Sequence, residues 1–591
     1  MNRDDKPDSA KIKIQVQCCS LIALLGLVIY GNHLRNAFQF DSVAYIVNNP
    51  NLEHPKELLT LKFLVSELKS RSLLRMSMAI NAALGGDQPF GYHLFNLTFH
   101  IFNALLLFFI TEKICRSFFR DRDDRDDSKI RGASLATALL FLCHPLQTES
   151  VVYIISRSEV LSATFYLGGF FLFQCFWEQR RSASRAMKFV GLPGALLLVF
   201  FLGFSVKQTL ITLPAILHLY ALCLSDRESG AMRFLQRWKW VLAGILLTAF
   251  IILLRKLLAD ESFLIGPSNP EEMVGRKKYM LSQPWVLIFY YLKLLWFPVN
   301  LNIDPDIAVV THVLSWRFLT PVAFIGALVF LSAKASQSRI YFFVVCWFFI
   351  VLSPSSSIVT LHDLAAEHRV YLASCGFYLI LTLSLWQGIF NRRRFSAPVK
   401  KAMAFSLLVI LVGALGTMTV KRNLTWRSER TLWEDARIKS PNLVRPVINL
   451  GRAYSLAGQT GRAIFYYETA LKKAPAVFAL NYNLGELYQQ QGRGEEALQR
   501  FRVAEMLSPH VPEVNEKLGE IYMKTEQYDL ADRYFKRAIE LNPKYAVAFR
   551  NLGILNYYHL NRPKQGIVYF SRSLTLDPGQ PEADKISRLT P

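Results

Sequence analysis

Asp41 lies shortly after the first long apolar run, between Phe38, Phe40 and Tyr45. A carboxylate at a lipid–water boundary can act as a general base and take a proton from an acceptor hydroxyl; it can equally be a solvated loop acid. A second cluster is His144-Pro145-Leu146-Gln147-Thr148-Glu149, followed by Arg157-Ser158-Glu159. Pro145 breaks a helix at this boundary. Glu149 could orient a substrate hydroxyl or a neighbouring cation. The plainer alternative is interfacial anchoring, with Arg157 and Glu159 paired to each other. Lys207 stands between two apolar runs, where it could hold a phosphate as a point charge or simply snorkel. A third cluster is Glu367-His368-Arg369-Val370-Tyr371-Leu372, in which Arg369 suits bidentate phosphate contact or, again, anchoring. Asp41 is thus the candidate catalytic residue. Glu149, Arg157, Glu159, Lys207, Glu367, His368 and Arg369 are candidate substrate-binding residues. Asp304 and Asp306 read as solvated. His144, His362 and His368 lack the close spacing of a metal site, so no metal ligand is assigned.

These residues depend on the apolar segments around them. The chain has 591 residues, is 52% hydrophobic and carries 43 Phe. Apolar runs approaching the roughly 20 residues that cross a bilayer recur up to about residue 421 and then stop. Twelve segments stand out, near 14–32, 92–112, 133–151, 159–177, 188–205, 209–224, 238–255, 284–298, 317–333, 340–354, 370–388 and 402–420. The net charge of +23 is explained by basic clusters between them: Arg180, Arg181, Arg185 and Lys188; Arg233, Arg237 and Lys239; Arg392 to Arg394 with Lys400 and Lys401. Such clusters mark cytoplasmic loops. No aromatic-interleaved basic groove points to nucleic acid. Parity makes 284–298 a dipping or surface segment and leaves about eleven crossings. The loop 33–91, the three clusters, Lys207 and everything after 420 then share the outer face. The eight cysteines form neither a disulfide framework nor a zinc pattern. The first apolar stretch reads as an uncleaved anchor.

Leu450-Gly451, Leu484-Gly485, Leu518-Gly519 and Leu552-Gly553 recur every 34 residues. Tyr454, Tyr488 and Tyr522 keep step, as do Ala463, Ala497 and Ala531, and Pro475, Pro509 and Pro543. This is the tetratricopeptide (TPR) pattern, whose helical pairs bury their apolar faces only by stacking. In the fourth repeat Gly566, Phe570, Ser573 and Pro578 arrive one residue late, which places an inserted residue near Asn561–Lys564. The expected organisation is all-α: a polytopic membrane bundle over 1–421, a capping or linker helix over 422–443, four TPR repeats over 444–580 and a tail over 581–591. A TPR groove typically takes a peptide or protein segment.

Phe40-Asp41 with Tyr45 to Pro50, Gly85-Gly86-Asp87-Gln88-Pro89-Phe90-Gly91-Tyr92-His93-Leu94-Phe95-Asn96, His144-Pro145 with Thr148-Glu149, Ser205 to Thr209, and Glu367 to Leu372 together resemble the transmembrane-and-TPR O-mannosyltransferase family. That family shares the GT-C glycosyltransferase architecture. The resemblance covers nearly the whole chain, and Gly91 to Asn96 is its most distinctive piece. It implies inverting transfer of mannose or another hexose from a polyprenyl-phosphate (or dolichyl-phosphate) carrier to Ser or Thr hydroxyls. Asp41 would be the base, Lys207 and Arg369 would hold the carrier phosphate, Glu149 would meet sugar or acceptor, and the TPR stack would present the acceptor protein. The sequence leaves a divalent ion unassigned. Two departures stand out: Ser42 occupies the place of a second acid, and Arg71-Ser72-Leu73 replaces an Arg-Pro-Leu element. A non-catalytic membrane scaffold that recruits partners through its repeats is the competing reading. The short repeat array favours a bacterial inner membrane, or the endoplasmic reticulum membrane in a eukaryote.

Overall fold

The computed structural model describes residues 9–49, 52, 54–60, 63, 71–120, 126–179, 191–224, 274–335, 338–357, 359–392, 394–580 and 583–589. Every regular element among them is helical. The chain divides into two compact units, Met1–Lys439 and Ser440–Pro591. The helix Glu429–Lys439, expected within a linker, belongs to the first unit, where Leu432, Trp433 and Ala436 are buried.

Among the described residues of the first unit five helices are long and apolar enough to cross a membrane: Ile12–His33, Pro89–Arg116, Ile154–Glu178, Trp316–Lys334 and Ala397–Thr425. The pair Asp127–Cys143 and Pro145–Val152 adds a sixth, bent by 51°. Shorter apolar helices run over Leu192–Phe204, Gln208–Leu224, Arg339–Leu352 and Ser374–Phe390. At 1.5 Å per residue, these helices reach only about 20–26 Å, short of a hydrocarbon core of about 30 Å. The shorter helices need their flanking turns to complete a crossing. The segment expected to dip or lie at the surface is a helix, Arg276–Trp285, that widens into a π segment, Val286–Leu292, and ends as Lys293–Trp296. The expected span 238–255 and the basic clusters near 180–188 and 233–239 lie outside the described residues.

The end of the first helix and the end of the last membrane helix are stitched together by amide side chains. Asn32 Nδ2 donates to the Val420 carbonyl at 3.0 Å, and Asn36 Nδ2 to the Asn423 carbonyl at 3.3 Å. Gln39 Nε2 donates to the Trp426 carbonyl. Asn423 Nδ2 answers with bonds to the Ile29 carbonyl at 3.0 Å and Asn32 Oδ1 at 2.8 Å. His93, from a third distant segment, meets the Asn36 carbonyl through Nε2 at 3.0 Å. The chain that carries Asp41 is therefore fixed as it leaves the first helix.

The second unit pairs Arg445–Leu456 with Thr460–Lys473, Phe478–Gln490 with Gly494–Leu507, Pro512–Lys524 with Tyr528–Leu541, and Ala546–Ile554 with Pro563–Leu576. The repeated glycines exist for the aromatics that cover them. A Cβ at Gly451 would lie 2.8 Å from the Tyr467 ring, at Gly485 2.9 Å from Phe501, at Gly519 2.6 Å from Phe535, and at Gly553 2.4 Å from Phe570. The inserted residue of the fourth repeat is not near Asn561–Lys564. It is absorbed one turn earlier, where Ala546–Ile554 continues as a π segment, Leu555–His559. A π turn takes up one extra residue without breaking the helix, so Gly566 and Phe570 return to their stacking positions one residue late. Gly519→Val should overpack the third pair by about 1–3 kcal/mol. Amide hydrogen exchange of the full chain should then speed up over Pro512–Lys524 and Tyr528–Leu541 and stay unchanged in the membrane unit; unchanged exchange in the pair would refute the packing account.

Candidate functional site

The helix Asp127–Cys143 stops at His144, and Pro145 starts a short 3-10 turn, Pro145–Gln147, that leads into Thr148–Val152. The chain extends at Tyr153, turns again over Ile154–Ser156 and enters the helix Arg157–Gln179. This interruption carries Glu149 and Glu159 into one polar row. Glu149 is buried; its Oε2 accepts the Glu367 N–H at 3.1 Å and its Oε1 pairs with His368 Nδ1. The other ring nitrogen of His368 lies 3.9 Å from Glu159 Oε1. Glu159, also buried, forms an ion pair with Lys207. Glu149, His368, Glu159 and Lys207 thus run in sequence through one contiguous network.

Lys207 sits in the turn after Leu192–Phe204, partly buried. Burial draws its ammonium below the usual lysine range, and Glu159 opposes that loss. Arg71 and Arg369 also act on Lys207, and Glu159 acts on Arg369. Arg369 is steadied by backbone: Nη2 donates to the Asp363 carbonyl at 2.9 Å, and Nη1 to the Leu364 carbonyl and the Tyr279 hydroxyl, each at 3.4 Å. Lys207 and Arg369 therefore form a cationic edge beside the acid row. Glu367 parts company with its neighbours. It is fully buried, accepts the Asn302 N–H and the Tyr290 hydroxyl, and lies 3.7 Å from Arg422 Nη2. Burial and the charge of Glu149 raise its carboxyl above the ordinary range, with Arg422 working against them. Arg422 also binds Asp435 at 2.8 Å, and Lys439 binds Asp435 at 2.7 Å. Arg422, Asp435 and Lys439 were not among the expected site residues. Arg422, an ionisable residue at a helix end, carries the same signal as the residues that were.

Asp41 enters from a strained turn. Phe40 has φ +52°, a left-handed conformation rare for an aromatic residue and worth roughly 1–2 kcal/mol of strain. Its N–H donates to Glu429 Oε1 at 3.0 Å, and its ring meets Trp433 edge-on at 5.3 Å. Asp41 follows, half-buried, beside Tyr153. Burial and then the Asp41 charge push the Tyr153 hydroxyl well above its ordinary range, and Glu149 adds to the effect. The Tyr153 ring stacks on Trp426 at 5.4 Å. Asp41 and Glu149 therefore both act on the same phenol, although 108 positions separate them in the chain. Ser42 is buried, and its hydroxyl makes no hydrogen bond among the described residues.

Arg157 does not pair with Glu159. It is fully buried, with Nε on Asn96 Oδ1 at 2.9 Å, Nη1 on the Ser77 carbonyl at 2.8 Å and Nη2 on the Tyr92 carbonyl at 3.1 Å. Its guanidinium covers the Phe95 ring at 4.3 Å. A desolvated cation with its donors already occupied is a clamp, and it explains the Gly91–Asn96 motif physically: Tyr92, Phe95 and Asn96 hold Arg157, while His93 holds the loop. Asn96 and Asn423 each begin an Asn-Leu-Thr sequon. Both are buried and hydrogen-bonded, so neither is open to modification in the folded chain. Asp304 is buried rather than solvated, whereas Asp306 is exposed.

Tetratricopeptide repeat models match residues 454–515 and 512–545. The resemblance to O-mannosyltransferases is also found directly. The chain is 26% identical over 498 residues to the mouse protein O-mannosyl-transferase TMTC3, covering 76% of this chain and 50% of that one. It is 24% identical to a Caenorhabditis elegans protein O-mannosyl-transferase, covering 76% of this chain and 62% of that one. A 217-residue stretch is 31% identical to mouse TMTC1, covering 34% of this chain and 22% of that one. The chain thus spans about half to three-fifths of the length of relatives matched over most of it. Among solved structures, MamA covers 27% of this chain and 94% of its own, at 19% identity and a TM-score of 0.25.

Replacing the clamp should cost stability and leave donor recognition alone. Arg157→Met leaves the Ser77 and Tyr92 carbonyls without their donor, at a cost of about 3 kcal/mol. The detergent-solubilised protein should melt at a lower temperature with KM for a donor sugar unchanged. A raised KM at unchanged melting temperature would return Arg157 to the substrate.

Proposed function

We propose that this chain is a membrane glycosyltransferase that moves a hexose, mannose in the first instance, from a polyprenyl-phosphate carrier to Ser or Thr hydroxyls of proteins. The observation that carries the reading is the meeting of Asp41, the Glu149–His368–Glu159 row and the Lys207–Arg369 edge. The protein O-mannosyl-transferases matched over 76% of the chain support it. On this reading Asp41 takes the proton from the acceptor hydroxyl. The freed oxygen attacks the anomeric carbon, the bond from that carbon to the phosphate oxygen breaks, and the electron pair leaves with the polyprenyl phosphate. Lys207 and Arg369 face the charge that grows on the leaving group, where fixed cations in a poorly solvated site are most effective. One displacement inverts the anomeric centre.

Glu149 and His368 would position the sugar or acceptor next to Asp41, and the buried Glu149 would supply the second carboxylate that Ser42 lacks. The TPR unit would present the acceptor on the outer face of the membrane, the bacterial inner membrane or the endoplasmic reticulum. The missing acid at Ser42 also supports a second reading, a scaffold that recruits partners and transfers nothing.

One assay separates the two. Reconstituted protein, given a polyprenyl-phosphate mannose and a Ser/Thr peptide, should mannosylate the peptide. Asp41→Asn should lower kcat by about 10²–10⁴-fold with membrane insertion unchanged. Transfer retained in the variant removes Asp41 from the mechanism; partner binding with no transfer by the wild type establishes the scaffold.

A further inference from the structure

Behind the acid row the polar contacts close into a ring. Arg422 Nη1 pairs with Asp435 at 2.8 Å, and Lys439 Nζ pairs with the same carboxylate at 2.7 Å. Lys439 also donates to the Leu301 carbonyl at 2.7 Å. The next residue, Asn302, donates its N–H to Glu367 Oε1, and Glu367 Oε2 lies 3.7 Å from Arg422 Nη2. The ring joins the end of the last membrane helix, the helix Glu429–Lys439, the chain at 301–302 and the 3-10 turn Glu367–Val370.

Its two acids depend on Arg422 unequally. Without Arg422, Asp435 keeps Lys439. Glu367 has Arg422 as its one cation within 4 Å among the described residues. The hydrogen bonds to the Glu367 carboxyl all come from donors, the Asn302 N–H and the Tyr290 hydroxyl, the latter at 3.4 Å. Such surroundings suit an ionised carboxylate, which only accepts. Burial opposes that charge, and the Arg422 guanidinium is the largest influence that retains it. A buried carboxylate without its cation takes up a proton or leaves its seat. Either change reaches the acid row. The N–H of Glu367 itself holds Glu149 Oε2 at 3.1 Å, and the next residue, His368, holds Glu149 Oε1.

We infer that Arg422 is a positioning residue for the transfer: by balancing the charge of Glu367, it fixes the turn Glu367–Val370 and so keeps His368 on Glu149. This rests on the transferase reading above and adds to it a residue that acts from behind the site. At 6% exposure Arg422 is itself shut away from a substrate.

A second substitution supplies the test. Arg422→Gln should lower kcat for mannosyl transfer by about 10²-fold, with KM for polyprenyl-phosphate mannose unchanged. Adding Glu367→Gln removes the carboxylate that Arg422 balances and keeps an oxygen for the Asn302 N–H. The double variant should therefore regain at least about tenfold in kcat over Arg422→Gln. If Arg422→Gln fails to fold, the double variant should fold and transfer. A double variant that improves on Arg422→Gln in neither respect overturns the inference. So does a donor KM that Arg422→Gln raises and the double variant leaves raised, since Arg422 would then act on the donor. If the wild type transfers nothing, the transferase reading fails by itself. Amide hydrogen exchange of the detergent-solubilised full chain then tests the positioning alone. Arg422→Gln should speed exchange at the Glu367 amide, and Glu367→Gln in the same chain should slow it again; unchanged exchange in Arg422→Gln refutes the inference.

Discussion

The structure of the first unit depends on the amide stitching between the end of the first helix and the end of the last membrane helix. Asn32, Asn36, Gln39 and Asn423 each spend side-chain donors on backbone carbonyls about 390 residues away in sequence. One such bond contributes only about 0.5–1.5 kcal/mol net, but a buried amide left unpaired costs about 1–3 kcal/mol. That penalty falls on the buried Asn36, Gln39 and Asn423, whereas Asn32 is exposed. Once the two helix ends meet, the loop can leave only in the direction that puts Phe40 against Trp433 and Asp41 beside Tyr153. The left-handed turn at Phe40 is sustained by that seat: its N–H is held by Glu429, and its ring is held between two aromatics.

Around that seat the ionisable residues divide by burial. Glu149, Arg157, Glu159 and Glu367 are buried and hold other groups in place. Asp41, Lys207, His368 and Arg369 are only partly buried. On the proposed reading, the partly buried groups would meet the ligand while the buried ones behind them hold their positions. The break at Pro145 makes the division possible. A continuous helix there would carry Glu149 along the bundle instead of turning it toward His368 and Tyr153.

Much of this was legible in the residues. The 34-residue spacing of Leu-Gly pairs revealed the repeats, because a glycine under an aromatic is a local requirement that recurs. The clusters at Glu149, Lys207 and Glu367–Arg369 were found because a charge next to an apolar run is conspicuous. Pairing stayed hidden. One of the two readings paired Glu159 with Arg157, two residues away, but Glu159 lies on Lys207, 48 residues away, while Arg157 serves the distant Ser77, Tyr92 and Asn96. Tyr153 and Arg422 gave no local sign of the groups they would face. The repeat insertion was misplaced for a related reason: a π segment leaves no mark in composition, only a shift in the phase of the residues C-terminal to it.

The most direct measurement of the central claim is cross-linking of the two helix ends. Cysteines replacing Gly31 and Val420, which leave every stitching amide in place, in a background with the partly exposed native thiols removed, should join through a short bis-maleimide in the folded, membrane-inserted protein. The account predicts an intramolecular cross-link that is lost when Asn36 and Asn423 are both replaced by Leu. Failure of the first pair to join, in protein whose other helices are shown to be folded, would contradict it.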